Sequence, residues 1–206
     1  MVAIFYLIRW VLYFMSAVIS YNLVKNNVMS KKFIINNIIF CGVFVAIFGF
    51  VQFILFPDLS ILDKSLGWDP HKFRLFSTFL DPNFVGAYLN IVLLFVFDKY
   101  YFENRKNLLY NILAVILVGA VILTFSRSAW LMLAVIVAIY GYYKSKVLLF
   151  TFLIICFSAY FAVPRIQTRL VGITDPADSA HYRLVSWENT LKIALDNSFL
   201  GVSFNT

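Results

Sequence analysis

Residues 73–97 read FRLFSTFLDPNFVGAYLNIVLLFVF, and their reading decides the fold. The second half is an apolar run suited to hydrocarbon, but it is headed by an arginine, a Ser-Thr pair and Asp-Pro-Asn. An aspartate at a helix N-cap takes up backbone N–H groups that the first turn leaves orphaned, and a proline at the next position has no N–H to lose. Asp81-Pro82-Asn83 therefore predicts a helix that starts here, with its positive dipole end at the polar cluster. Asn83, Ala87 and Asn90 share one face of that helix, with Gly86 beside it. A small and polar stripe on an otherwise apolar helix faces other helices rather than lipid.

The rest of the chain extends this pattern. Of 206 residues, 62% are apolar and 13% charged, with a mean hydropathy of +0.86, whereas a soluble domain carries about a quarter charged residues. So much apolar surface exceeds what one globular core of this size buries, and the surplus must face lipid. Apolar runs lie near 2–24, 33–56, 79–97, 108–125, 129–143 and 147–163. The expected fold is all-α: a polytopic transmembrane helix bundle of about six spans forming a single membrane domain over 1–206. The fifth run is short and borrows Trp130 and Tyr142–Tyr143 as interface anchors. The first lacks a basic leader region and a small-residue cleavage site, so it reads as a retained helix. Cys41 and Cys156 sit in apolar runs without metal or disulfide spacing and read as small buried hydrophobes.

Loop charge sets the orientation. Connections 25–32, 98–107 and 144–146 hold eight Lys or Arg in 21 positions, while 57–78, 126–128 and 164–206 hold eight in 68. The positive-inside rule assigns the first set to the cytoplasm. The polar head at 73–83, the Ser126-Arg127-Ser128 turn and segment 164–206, the start of a large extracytoplasmic loop, then share the outer face. In that last segment, Asp178 or Ser179 caps a predicted external amphipathic helix running to about Asp196. Leu184, Trp187, Leu191, Ala194 and Leu195 recur at its three- and four-residue spacing, with Arg183, Ser186 and Thr190 on or beside its polar side.

Candidate functional residues follow from this shared face. Arg74, Arg127, Arg169 and Arg183, with Arg165, would hold phosphate oxygens through planar, permanently charged guanidinium groups. Asn83, Ser126 and His181 lie among them as candidate binding groups. Each also has a plainer reading: snorkelling for Arg74, helix C-terminal charge balance for Arg127, capping and inter-helix bonding for Asp81 and Asn83, surface exposure for His181. Paired carboxylates of the D-x-D type are missing from the sequence, as are phosphate-loop, H-E-x-x-H and G-x-S-x-G signatures. Metal-held sugar nucleotides, ATP-driven transport and common hydrolase chemistry therefore have no footing here. The net charge of +7 is spread over loops rather than along an aromatic-lined groove, which argues against nucleic acid.

Three stretches carry a resemblance. RLFSTFLDPNFVGAYL (74–89), TFSRSAWL (124–131) and HYRLVSWENTLKIALDNSFLGVSF (181–204) resemble, in family order, motifs of the O-antigen ligase and O-antigen polymerase family. Ser198 and Ser203 stand where that family often has Pro and Gly, and the family's histidine normally falls downstream of the third stretch. The resemblance covers about residues 33–206 and implies the middle part of a longer protein. It implies a multi-pass glycosyltransferase of the bacterial inner membrane that needs no cofactor or metal. Such an enzyme transfers or polymerises glycan from an undecaprenyl-pyrophosphate carrier on the outer face. The acceptor is another glycan, lipid A-core or a protein. The matching arginines Arg74, Arg127 and Arg183 would serve catalysis by holding the leaving pyrophosphate. The competing expectations are a non-catalytic transporter or channel subunit, and an inactive truncated relative that only binds lipid-linked glycan.

Overall fold

The computed structural model describes residues 2–58, 71–103, 107–171 and 179–198. Among them lie eight α-helices: α1 (Val2–Lys25), α2 (Lys31–Leu55), α3 (Pro82–Tyr101), α4 (Leu108–Leu123), α5 (Arg127–Tyr143), α6 (Lys146–Ala162), α7 (Pro164–Val171) and α8 (Ser179–Asp196). A single 3₁₀ turn, Ser77–Phe79, precedes α3. The helices fall into two units. One comprises Met1–Ile34 and Val171–Thr206; the other is Ile35–Leu170.

Each expected apolar run is a helix, and the side-chain caps explain where they begin. Asp81 accepts from the N–H groups of Asn83 and Phe84, with Pro82 in the first helical position, as the sequence predicts. Asn107, Ser126 and Ser145 cap α4, α5 and α6 in the same way. Length separates the helices into classes. Ile4–Lys25, Lys31–Leu55 and Pro82–Tyr101 are long and apolar enough to cross a membrane. Helices α4 and α5 have 16 and 17 residues, short of the ~20 that a ~30 Å core asks for. Helix α6 meets the test only together with α7, from which it is bent by 100°. Among the described residues the count by length and composition is thus three, or four with the bent pair, where about six were expected.

Within the second unit α3 is the central helix. Val85, Leu89, Val92, Leu93 and Val96 are fully buried, and Leu117, Ala120 and Val121 of α4 and Leu133, Ile136 and Val137 of α5 join the same core. Helix α6 pairs with α5. The outward faces carry Phe40, Phe44, Ile47, Ile54, Phe150 and Phe157, all exposed. Water does not tolerate apolar surface on this scale, whereas lipid tails solvate it. The molecule is a helical membrane protein.

The small and polar stripe on α3 does what it predicts. Asn90 is fully buried and donates to Gly86 O at 2.8 Å and to Ala129 O at 3.1 Å, stitching α3 to α5. Two expectations are corrected. Cys41 and Cys156 are exposed rather than buried, Cys156 facing an open apolar cavity between α5 and α6. Lys99, expected in a cytoplasmic loop, lies in the last turn of α3, which runs past the predicted end. It is buried and reaches Glu103 at 3.6 Å.

A Cβ added at Gly86 would stand 2.4 Å from Ala129 Cβ, so this position sets the α3–α5 spacing. Gly86→Val should cost about 1–3 kcal/mol by overpacking, read as a lowered unfolding temperature in detergent, while Val85→Ile on the same turn should cost less.

Candidate functional site

Five elements converge at one end of the second unit: the ends of α2 and α4, the starts of α3 and α5, and α7. The segment between Phe73 and Leu80 is the piece that joins them. Its neck is closed by an ion pair between Lys72 and Asp58 at 3.2 Å and by Phe73 N–H donating to Pro57 O at 2.6 Å. Beyond the neck the chain turns inward and is buried from Arg74 to Ser77.

Buried irregular backbone needs partners of its own, and Gln52 of α2 supplies them. Its Oε1 accepts from Phe76 N–H at 3.0 Å and from Ser77 N–H at 3.3 Å. Its Nε2 donates to Phe56 O at 2.8 Å and to Arg74 O at 3.5 Å. Ser77 Oγ donates to Val45 O at 2.7 Å, and Leu75 N–H to Leu123 O at 2.9 Å. Leu75 seats against Gly49, where an added Cβ would fall 2.6 Å from it. Three residues here, Phe73, Ser77 and Leu80, have φ between 49° and 56°, a left-handed geometry that these bonds hold in place.

The segment delivers Arg74 to the helix ends. The Arg74 side chain is 8% exposed, and its Nε donates to Thr124 O at 2.8 Å at the C-terminus of α4. Asn83 and Ser126 are brought together: Ser126 Oγ donates to Asn83 Oδ1 at 2.7 Å, linking the N-termini of α3 and α5. Ser126 Oγ also lies 3.0 Å from Ser128 Oγ. Arg127 occupies the first position of α5, not the C-terminal end of α4. Thr124 and Phe125 end α4 early, so the dipole-balancing reading of Arg127 reverses sign: its cation stands at a positive helix end.

Arg165 and Arg169 lie one turn apart on α7 and are half-buried. Arg165 donates to Lys72 O, and its guanidinium stands 4.5 Å from the Phe125 ring centre and 5.8 Å from that of Phe73. Burial, then the positive charge of Arg169, pushes Arg74 down to about 10; Asp81 opposes this, while Arg165 and Arg127 add to it. Arg74 therefore remains a cation at neutral pH, among three others. Asp81, whose carboxylate also accepts from the first turn of α3, offsets only part of the charge of four arginines. With two helix N-termini beside the cluster, the arrangement favours an anion with several oxygens. Next to it lies an apolar cavity of about 240 Å³ lined by Trp130, Leu133, Phe152, Cys156, Tyr160 and Ile166 among others.

Of the candidate residues, Arg74, Arg127, Arg169, Asn83 and Ser126 are thus gathered at one end. His181 and Arg183 lie on the first turns of α8, and their side chains fall outside the described residues. Gln52, the organiser of the segment, gave no signal in a stretch reading FVQFIL; only an unpaired amide in a lipid-length run pointed to it. Among the described residues no group of three or more His, Cys, Asp or Glu could hold a metal ion.

Fold and site together define a helical membrane protein with a partly buried cluster of arginines at one end. The O-antigen ligase family model matches residues 112–206, a span that contains the second and third motif stretches. The match points to a glycosyltransferase-type role in a membrane, with a lipid-linked glycan and an acceptor as partners in general. Neither the curated proteins nor the solved structures yield a match.

Two outcomes check the site. Gln52→Leu strands two buried N–H donors, each worth about 1–3 kcal/mol, and should lower the unfolding temperature more than Gln52→Glu. Arg169→Ala removes a like charge, so it should leave the ligand-free protein as stable as the parent or more so in thermal unfolding, unlike an ordinary truncation.

Proposed function

We propose that the chain is a membrane glycosyltransferase of O-antigen ligase or polymerase type. It moves glycan from an undecaprenyl-pyrophosphate carrier to an acceptor glycan, lipid A-core or protein. Its place is the outer face of a bacterial inner membrane, crossed several times, with α4, α5 and α6 joining the three longer helices as spans. The observation that carries this reading is the convergence of Arg74, Arg127, Arg165 and Arg169 beside two helix N-termini. Cations kept together at the expense of mutual repulsion gain their stabilisation when a multiply charged anion enters.

In the transfer, an acceptor hydroxyl oxygen attacks the anomeric carbon of the donor sugar. The bond from that carbon to the pyrophosphate oxygen breaks, and the lipid pyrophosphate departs with the electron pair. Negative charge accumulates on the departing oxygens, where Arg74 and Arg127 stabilise it; the motif match makes Arg183 a further candidate for that role. Asn83 and Ser126 hold the two helix N-termini at a fixed spacing beside those oxygens, and Arg169 and His181 contact the phosphates or the glycan. The apolar cavity beside α7 receives the first part of the carrier tail. The hydroxyl proton passes to a general base other than the residues named here.

The test is binding of undecaprenyl pyrophosphate by the full chain in nanodiscs, followed by transfer from the glycan-loaded carrier. Arg74→Ala and Arg127→Ala should each weaken binding at least about tenfold, since a charge-assisted contact is worth about 1.5–3 kcal/mol. Unchanged binding by both variants, with parental helicity, overturns the proposal. Ion-dependent uptake into vesicles would favour a transporter instead.

A further inference from the structure

The geometry points to Arg165 as a positioning residue that sets the spacing of the two segments carrying Arg74 and Arg127; this rests on the reading of those arginines as the phosphate site. Arg165 stands where three parts of the chain meet. It belongs to the first turn of α7, donates to the carbonyl of Lys72, and faces the rings of Phe125 and Phe73 at 4.5 and 5.8 Å. Phe73 directly precedes Arg74, and Phe125 lies two residues before Arg127. A guanidinium between these two rings therefore ties together the backbones on which both cations are mounted.

The backbone says that the rings are wanted there. Phe73 has φ 49° and Phe125 has φ 47°. For a residue with a side chain, that conformation costs about 1–2 kcal/mol. Phe125 follows the end of α4, a position where glycine usually takes the left-handed turn without strain. A phenylalanine is held there instead, its ring under Arg165 on one side and 6.0 Å from Trp130 on the other. Both aromatic residues that Arg165 faces are strained, and each neighbours a candidate phosphate arginine. Strain maintained at two such positions indicates that their side chains are needed.

The chemistry separates this role from that of a ligand. The Arg165 cation faces π surfaces and a carbonyl, whereas Arg74 gives its Nε to Thr124 O at the helix end. A planar guanidinium stacks on rings in a way that an ammonium does not, so charge alone cannot replace it. Arg169 follows one turn later on α7, and the same clamp holds it near Arg74 against their repulsion.

Two measurements on the full chain in nanodiscs test the inference. In the first, Cys41 and Cys156 are changed to Ser, and nitroxides are attached at Thr78→Cys and Ser128→Cys, both exposed positions. The parent should give one narrow distance distribution, and Arg165→Lys and Phe125→Leu should each broaden it at unchanged helicity. A distribution unaltered by Arg165→Lys overturns the positioning role, whatever the site binds. In the second, Trp10, Trp68 and Trp187 are changed to Phe so that Trp130 alone reports a titration with inorganic pyrophosphate. Arg165→Lys should weaken binding at least fivefold, and the double variant with Phe125→Leu should be no worse than the weaker single one, because both break one clamp. If Arg74→Ala abolishes binding while Arg165→Lys binds like the parent, the inference fails and the phosphate site stands. If Arg74→Ala binds like the parent, the phosphate reading fails, and the distance measurement alone decides on Arg165.

Discussion

A polar segment inserted among apolar helices must bring or find a partner for every backbone group it buries, and in this chain Gln52 meets that demand. One amide has two acceptor lone pairs and two donor hydrogens, and all four are engaged between α2 and the 73–80 segment. With the backbone of Phe76 and Ser77 satisfied, the chain stays inside long enough to place Arg74 against the end of α4. Remove that satisfaction and the segment has no reason to leave the interface. The position of Arg74, the approach of α7 and the meeting of the α3 and α5 N-termini all depend on it.

Electrostatics then acts on a geometry already determined by hydrogen bonds and close packing. Four arginines at one end of a small bundle repel one another, and burial adds to the cost of charging Arg74. Nothing in helix packing asks for such a cluster. Helix ends normally attract the opposite sign, yet Arg127 stands at a positive one. A site whose resting state is electrostatically uncomfortable, and whose discomfort an anion relieves, discriminates by charge before it discriminates by shape.

Much of this was legible residue by residue. Asp81-Pro82 announced the start of α3, and the length of each apolar run foretold its helix, because caps and lipid-facing runs are local properties. Loop charge assigned Arg74, Asn83, Ser126 and Arg127 to one face, and the structure gathers these four at one end of the second unit. What escaped were features that depend on two distant segments meeting. Gln52 acts 22–25 residues away, and the clamp between Arg165 and Phe125 spans 40. The early end of α4 also escaped, since a left-handed phenylalanine is the reverse of what a helix stop usually shows. Burial of Lys99 and exposure of the two cysteines were missed for a related reason: an all-apolar helix does not announce which side is packed.

The brevity of α4 and α5 has a consequence for the surrounding bilayer. At 16 and 17 residues, they are about 24–26 Å long, several ångströms less than an average hydrocarbon core. A bilayer meeting helices of that length thins or dimples beside them. Where α4 and α5 cross the membrane as proposed above, the turn joining them, which carries Arg127, is the part of the bundle such thinning would reach. Headgroups drawn in beside short spans would bring a lipid-borne phosphate toward the cluster with its tail still in the hydrocarbon. Membrane thickness thus becomes part of the site's geometry, and a sterically passive property of two short helices shortens the path for the charged group they face.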